Sequence, residues 1–246
     1  MFRTFMYLDE AVLRSYSTQL GILKSRKIGV SKGNVQADLG LVAGAVELES
    51  DSQSFDETVA LYDQFEKKLI DLSGDEYFDF LTDDYDQSTL PSMSLFRFRG
   101  FVDVPQSFDM INSFSKLAPK MFETGVLGSD MDEISKVIMR GALCRADVQI
   151  PVVMEGLGIK VASKIKSNCI IGGDAVDLEF LSEEEATFLC KVECYRDSEE
   201  VAIYDPLRDF MKLGRAMRRH VERVDGLDVI TESGPLIRAE TVAIYH

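Results

Sequence analysis

The sequence contains no tryptophan, two histidines and four cysteines among 246 residues. Each shortage removes a class of function. A Ser-His-Asp or Cys-His mechanism needs a well-positioned imidazole. His220 follows Arg218 and Arg219 on a predicted helix and His246 is the last residue, so neither suits that role. Cys144, Cys169, Cys190 and Cys194 form no C-x-x-C pair, and a structural zinc site has little to stand on. No H-E-x-x-H and no Walker loop occurs. No apolar run reaches the roughly 18 residues of a membrane-spanning helix, so no membrane segment is expected. Basic residues are in the minority, 27 against 42 acidic, giving a net charge of −15. A field of that sign repels phosphate backbones, so nucleic acid is not the expected partner. The opening Met1 to Leu8 is apolar but short, Asp9 and Glu10 end it, and no small-residue cleavage site follows. It reads as a first strand and not as a signal peptide. Reduced thiols and a cytoplasmic location are therefore expected.

What is present is core material: 46% of the residues are hydrophobic and 9% aromatic, which excludes a disordered chain. Strand patterns fall at Phe2–Leu8, Ser92–Val104, Val148–Met154, Ile159–Ile165, Cys169–Ile171, Val176–Phe180, Thr187–Tyr195, Val201–Tyr204 and Leu236–Tyr245. Helical patterns fall at Ala11–Leu20, after Ser54, after Ser107, and at Leu207–Val224 behind Pro206. Ser54 with Glu57 has the form of a capping box, and Val59, Tyr62, Phe65 and Leu69 form the stripe behind it. Gly21 to Ser50 keeps neither period and reads as loop with one strand at Val42–Leu48.

Strands come in runs with no regular βαβ alternation. The expected class is α+β, with antiparallel or mixed sheets and helices packed on one side. A strand-then-helix unit near residues 92–123 recurs near 187–224, and Val201-Ala202-Ile203-Tyr204 recurs as Val242-Ala243-Ile244-Tyr245. A duplicated, ferredoxin-like arrangement is one reading of that repetition. The expected organisation is an N-terminal strand and helix region with a glycine-rich loop over 1–90, and an α+β core over 91–246, with one continuous domain as the alternative.

Three constellations could carry chemistry. Asp75, Glu76, Asp79, Asp83, Asp84 and Asp86 form an acidic stretch, with Asp79 and Asp83 on one face if it is helical. Hard cations want clustered oxygens, but the spacing fits no calcium loop, and a solvated or docking surface is the plainer reading. Asp9 and Glu10 follow the first strand, where helix capping competes with acid–base or metal work. The helix after Pro206 sets an apolar stripe (Leu207, Phe210, Met211, Met217, Val221, Val224) against a basic one of Arg208, Lys212, Arg215 and Arg219. A second basic group, Lys24, Arg26 and Lys27, lies in the glycine-rich segment. Together these seven cations are the candidate binding residues for a phosphate, a nucleotide or an acidic partner. Gly156-Leu157-Gly158 starts like a dinucleotide fingerprint, but Val161 stands where the third glycine belongs, so a tight turn between strands explains it better. Cys190 and Cys194 read as small buried hydrophobes on one strand face.

Both ends of the chain carry a family resemblance. Phe5-Met6-Tyr7-Leu8-Asp9-Glu10, a short helix and a glycine-rich stretch open it; Gly234-Pro235-Leu236-Ile237 and Val242-Ala243-Ile244-Tyr245-His246 close it. This resembles a bacterial family classed as a domain of unknown function, with a Tyr-Leu-Asp-Glu opening and a Gly-Pro to Ala-Ile-Tyr ending. The resemblance implies a bacterial or phage-related cytoplasmic protein, from a mobile or defence-associated locus, and assigns no catalytic residue. The expected function is non-catalytic binding or regulation through a protein partner in a defence or stress system, with self-association as a homodimer. No cofactor and no metal are expected. A nucleotide or small-anion sensor built on the basic helix is one alternative, and a carboxylate-based, divalent-metal enzyme is the other.

Overall fold

The computed structural model describes residues 3–23, 47–72, 76–108, 120, 124, 148–172, 184–211 and 228–246. The chain divides into two compact units, Met1–Asp9 with Gly74–His246, and Glu10–Ser73.

The second unit holds α1 (Glu10–Gln19) and α2 (Glu47–Asp71), which pack on each other. In α2, Leu61, Tyr62, Phe65 and Leu69 are buried, a spacing that lays one stripe along a 3.6-residue helix. The helix begins at Glu47. Ser54 therefore lies inside it and starts nothing, and the last residues of the strand expected at Val42–Leu48 belong to the helix.

The first unit is built on seven strands: β1 (Phe5–Leu8), β2 (Tyr77–Asp79), β3 (Leu95–Asp103), β4 (Gln149–Gly156), β5 (Ile159–Lys166), β6 (Ala186–Arg196) and β9 (Leu236–Tyr245). A separate ribbon pairs β7 (Val201–Tyr204) with β8 (Ile230–Glu232). Of the helices expected after Ser107 and Pro206, the described residues hold a helical turn at 106–108 and the turn Pro206–Phe210, and the rest of both expectations lies outside the described residues.

Five of the seven strands close on themselves in the ring β3–β4–β5–β9–β6–β3. Every contact in the ring is antiparallel except β5 with β9. Counted in chain order, the ring runs first, second, third, fifth, fourth and back to the first. That is the order of the five-stranded Greek-key barrel called the OB-fold. It is a statement of topology and carries no function by itself. The α+β class therefore holds, but the ferredoxin-like arrangement gives way to a closed barrel. The repeated Val-Ala-Ile-Tyr falls on β7 in the ribbon and on β9 in the barrel, so it marks no duplication.

Closure depends on β3 serving two neighbours. Leu95–Gly100 pair with β6 and Phe101–Asp103 pair with β4. The switch comes where β3 crosses β4 at very close range. A Cβ on Gly100 would sit 2.1 Å from the Glu155 carbonyl oxygen, and one on Gly156 would sit 2.0 Å from that of Arg99. Only glycine fits both positions. Inside the ring Phe98 lies directly opposite Phe188, ring centroids 5.0 Å apart, and stacks along its own strand on Phe96 at 5.7 Å. Ile150, Val152, Met154, Val161, Ile165, Val192 and Ile237 complete this core. Burial of each such side chain stabilises by about 1.5–3 kcal/mol. Leu157 and Gly158, with φ of 52° and 73°, form the tight turn joining β4 to β5, as the Gly-Leu-Gly reading requires.

Candidate functional site

Strand β9 has one edge facing β6 along its whole length. Its other edge is shared. Ile237 and Arg238 pair with Val161 and Ala162 of β5, and Ala243, Ile244 and Tyr245 pair with β1. Between these two ladders β5 turns away to stay with β4, which it follows through Lys166. The stretch Ala239–Thr241 faces a window in the barrel wall. A cavity of about 220 Å³ lies at that window, lined by Tyr7 and Asp9, by Ala162, Ser163, Lys164 and Lys166, by Arg238 to Thr241, and by Gln149, Glu193 and Ile203.

Strand alternation explains the lining. Ser163 and Thr241 turn toward the barrel interior, where both are buried. Thr241 Oγ1 donates to Ser163 Oγ at 2.7 Å across the window, and Cys190 Sγ lies 3.8 Å from the same threonine oxygen. Burial drives the Cys190 thiol up to about 12, tempered by that threonine contact, which keeps it protonated and inert. Lys164, Lys166, Arg238 and Glu240 take the outward alternation, so their charges meet at the mouth.

Each of the three cations has an acidic neighbour. Lys166 Nζ sits 2.6 Å from Asp9 Oδ2, and Asp9 is almost wholly buried. Burial works against the Lys166 charge, but the Asp9 hydrogen bond and charge outweigh it and raise the lysine pKa. The Lys166 amide donates to the Tyr7 hydroxyl at 3.4 Å, and burial with the Asp9 charge pushes that phenol far above its ordinary range. Lys164 Nζ reaches Asp209 Oδ2 at 2.7 Å and lies 5.9 Å from the centre of the Tyr204 ring. Burial lowers the Lys164 pKa, with Asp209 opposing. Arg238 and Glu193 approach only to 3.7 Å.

Asp209 belongs to the turn Pro206–Phe210, which Asp205 caps by accepting from the Leu207 and Arg208 amides at 3.1 and 3.3 Å. Burial would raise the Asp209 pKa. Arg208, the Asp205 amide and Lys164 overcome it and hold the carboxyl at about 2. Arg208, the first cation of the predicted basic stripe, is therefore closed onto its neighbour by Nε–Oδ1 and Nη2–Oδ2 bonds of 2.7 and 2.8 Å. Lys212, Arg215, Arg219, Lys24, Arg26 and Lys27 lie outside the described residues.

The acidic stretch takes another form than a helical face. Asp79 ends β2, and Arg97 of β3 grips its carboxylate with two nitrogens, one of them Nε at 3.1 Å. Asp83 lies beside Tyr85 and Thr82 in the following turn. Among the described residues no three His, Cys, Asp or Glu side chains gather as a metal site would require, and no helix is long and apolar enough to cross a membrane.

The window was reachable from sequence only in fragments. The alternation of Ile159, Val161 and Ile165 with Lys160 and Lys164 is visible in β5. That Arg238 and Glu240 stand across from those lysines depends on the parallel register of β5 with β9, which no local pattern encodes.

No curated protein and no solved structure matches the chain. Residues 2–245 match the family described as Domain of unknown function (DUF6414). That match runs nearly end to end, through the strands that close the barrel and the residues that line its window, and the chain belongs to the DUF6414 family.

Proposed function

We propose that this protein is a non-catalytic binding and regulatory protein, whose barrel receives a small charged ligand in the wall window and reports its presence to a protein partner. The observation that carries this reading is the double role of Lys164. Lys164 lines the window, and its ammonium holds Asp209 at 2.7 Å. Asp209 in turn accepts from the Asp205 amide at 2.9 Å and closes the turn from which the chain runs on toward Lys212, Arg215 and Arg219. A ligand that takes Lys164 as its partner withdraws one hydrogen bond from that turn, so occupancy of the window is felt outside it. The bacterial, cytoplasmic setting implied by the resemblance, and a place in a defence or stress system, fit such a role.

A carboxylate-centred enzyme has less support. Asp9 is held by Lys166, and Asp79 by Arg97. An anion or nucleotide sensor remains the second reading, because the window shares its cation Lys164 with the turn that opens the basic stripe.

Two measurements on the full chain test the proposal. A thermal-shift screen of small charged metabolites, nucleotides, Mg²⁺ and Mn²⁺ should stabilise the wild type with a small metabolite and lose that shift in Lys164→Met. Hydrogen exchange should show lower protection of the Asp205, Leu207 and Arg208 amides in the same variant. Unchanged protection removes the link between window and turn, and a shift from divalent metal alone favours the enzyme.

A further inference from the structure

Resting on the reading of the window as a ligand site, the geometry points to a small carboxylate as the class of ligand it takes, with an oxygen on the Ser163 hydroxyl and its charge answered by Arg238. The first ground is the direction of a buried hydrogen-bond chain. Cys190 Sγ, Thr241 Oγ1 and Ser163 Oγ follow one another at 3.8 and 2.7 Å. Each of the three groups carries one proton. The wholly buried thiol keeps its own. Thr241 gives its single proton to Ser163, so toward Cys190 the threonine oxygen accepts. The Ser163 proton is then left over, and among the described residues nothing accepts it. The reverse direction would make the sulfur an acceptor, which it is only weakly, and leave the spare proton on a thiol in the core. Ser163 is 5% exposed and lines the cavity. A donor so buried is satisfied only by an occupant of the cavity that accepts from it.

The second ground is which charges can change partner. Asp9 holds Lys166 at 2.6 Å, and Asp209 holds Lys164 at 2.7 Å. Glu240 has an interaction partner already and stands directly opposite Lys191 in the β6–β9 register. Arg238 is the cation with slack. Among the described residues the carboxylate it approaches is that of Glu193, at 3.7 Å, longer than a hydrogen bond. The Glu193 side chain is 52% exposed, so solvent screens the pair. Arg238 can therefore turn its planar fork to a ligand carboxylate at little cost, in the two-point geometry that guanidinium favours. Lys164 lies two residues beyond Ala162, the partner of Arg238 in the β5–β9 ladder, on the same outer face. Burial depresses the Lys164 pKa against the pull of Asp209, and the Arg208 and Arg238 charges add to the fall. An anion between Arg238 and Lys164 relieves that repulsion, and it engages the lysine that ties the window to the turn.

The third ground is size. At about 220 Å³ the cavity falls below the roughly 300–1,000 Å³ of sites for drug-sized molecules, which sets the scale at an acid of a few carbons. Ala162, Ala239 and Ile203 are the apolar part of the lining, against which a short carbon chain can rest.

The test compares three probes of one size: propionate, propionamide and n-propylammonium, titrated calorimetrically into the full chain. Propionate should bind at least about tenfold more tightly than either of the others, the difference expected of one charge-assisted contact. Two variants separate the two contacts, each checked for folding by its thermal melt. Arg238→Gln should abolish the preference for propionate over propionamide. Ser163→Ala should weaken both by about threefold to tenfold, because each offers an oxygen to the hydroxyl. The wild-type ranking decides even if a variant fails to fold. Propionamide or n-propylammonium binding as tightly as propionate overturns the carboxylate and leaves a ligand site. Propionate binding that neither folded variant changes overturns the two contacts. Silence from all three probes overturns the proposal as well, and the thermal-shift screen then shows separately whether the window binds anything.

Discussion

Thr241 and Ser163 join their hydroxyls at 2.7 Å across the one stretch of the barrel wall where β5 and β9 no longer share a ladder. The two residues are 78 positions apart in sequence. Backbone pairing ends at Ala162 and Arg238, so the side chains take over the tie that main-chain bonds make elsewhere. The window is thus open to charge at its mouth and held together at its base.

Replacing Thr241 by valine keeps the shape and removes the donor. The Ser163 hydroxyl is then left without its partner, and the expected loss is about 1–3 kcal/mol. Ser163→Ala should cost a similar amount. The double variant should cost less than the two losses added, because no orphaned hydroxyl remains. Urea unfolding of the four proteins in the cycle measures this, and strict additivity would show that the bond contributes nothing.

Gly100→Ala tests the crossing that lets β3 serve both β4 and β6. The added methyl would meet the Glu155 carbonyl oxygen at 2.1 Å, and backbone on the neighbouring strand has to move to admit it. A loss of about 3 kcal/mol or more is expected, at the upper end of overpacking costs. The chemical shifts of β3 and β4 should change together. A variant as stable as the wild type would mean that the strands separate there at no cost.

The local features were legible in the sequence and the long-range ones were not. Phe96, Phe98, Phe188, Val192 and Ile237 announce their strands because alternation is written residue by residue. Closure into a barrel depends on Val161 meeting Ile237 and on one strand having two partners, neither of which leaves a local trace. The glycines that permit the crossing look like ordinary turn or strand glycines until the two backbones meet. Ser54 and Glu57 spell a helix start, but the helix is already running from Glu47, and an i, i+3 pair of that kind is also compatible with a helix interior. Asp79 and Asp83 would share a face on a helix. Instead Asp79 ends a strand, and its partner Arg97 comes from the neighbouring one.

Asp209 gives the pH dependence its sign. Its folded pKa is about 2 against an ordinary value of 3.8, so the unfolded chain takes up a proton first as the pH falls. The stabilisation is complete above about pH 4 and disappears as the pH drops through about 2. The difference corresponds to about 2 kcal/mol. Asp209→Asn should therefore be less stable than the wild type at neutral pH and should approach it near pH 2. Guanidinium unfolding across that range measures the slope, and two parallel curves would show that Asp209 is not a source of the acid sensitivity.

The Arg97–Asp79 pair is where the acidic stretch contributes to stability. Both side chains are mostly buried, at 16% and 13% exposure, and the guanidinium holds the carboxylate with two nitrogens. Burial works against the Arg97 charge, but hydrogen bonding to Asp79 and to Tyr245, with Tyr77 nearby, outweighs it and pushes the arginine pKa up. A second job falls to Asp79 Oδ1, which accepts from the Leu81 amide at 3.1 Å and sets the turn after β2. Asp79→Ala removes both contacts and leaves a mostly buried cation with Tyr245 beside it but without its carboxylate. A loss of about 2–4 kcal/mol is expected, less than for a fully buried pair because some solvent reaches it. Asp79→Asn retains an acceptor for Leu81 and should lose less. Replacing both partners with apolar residues, Asp79→Leu with Arg97→Met, strands no charge and should recover part of the loss seen in Asp79→Ala. Thermal melts of the three variants order them. If Asp79→Ala melts with the wild type, the pair is a surface contact and the β2–β3 corner is held by Tyr77, Phe80 and Phe96 alone.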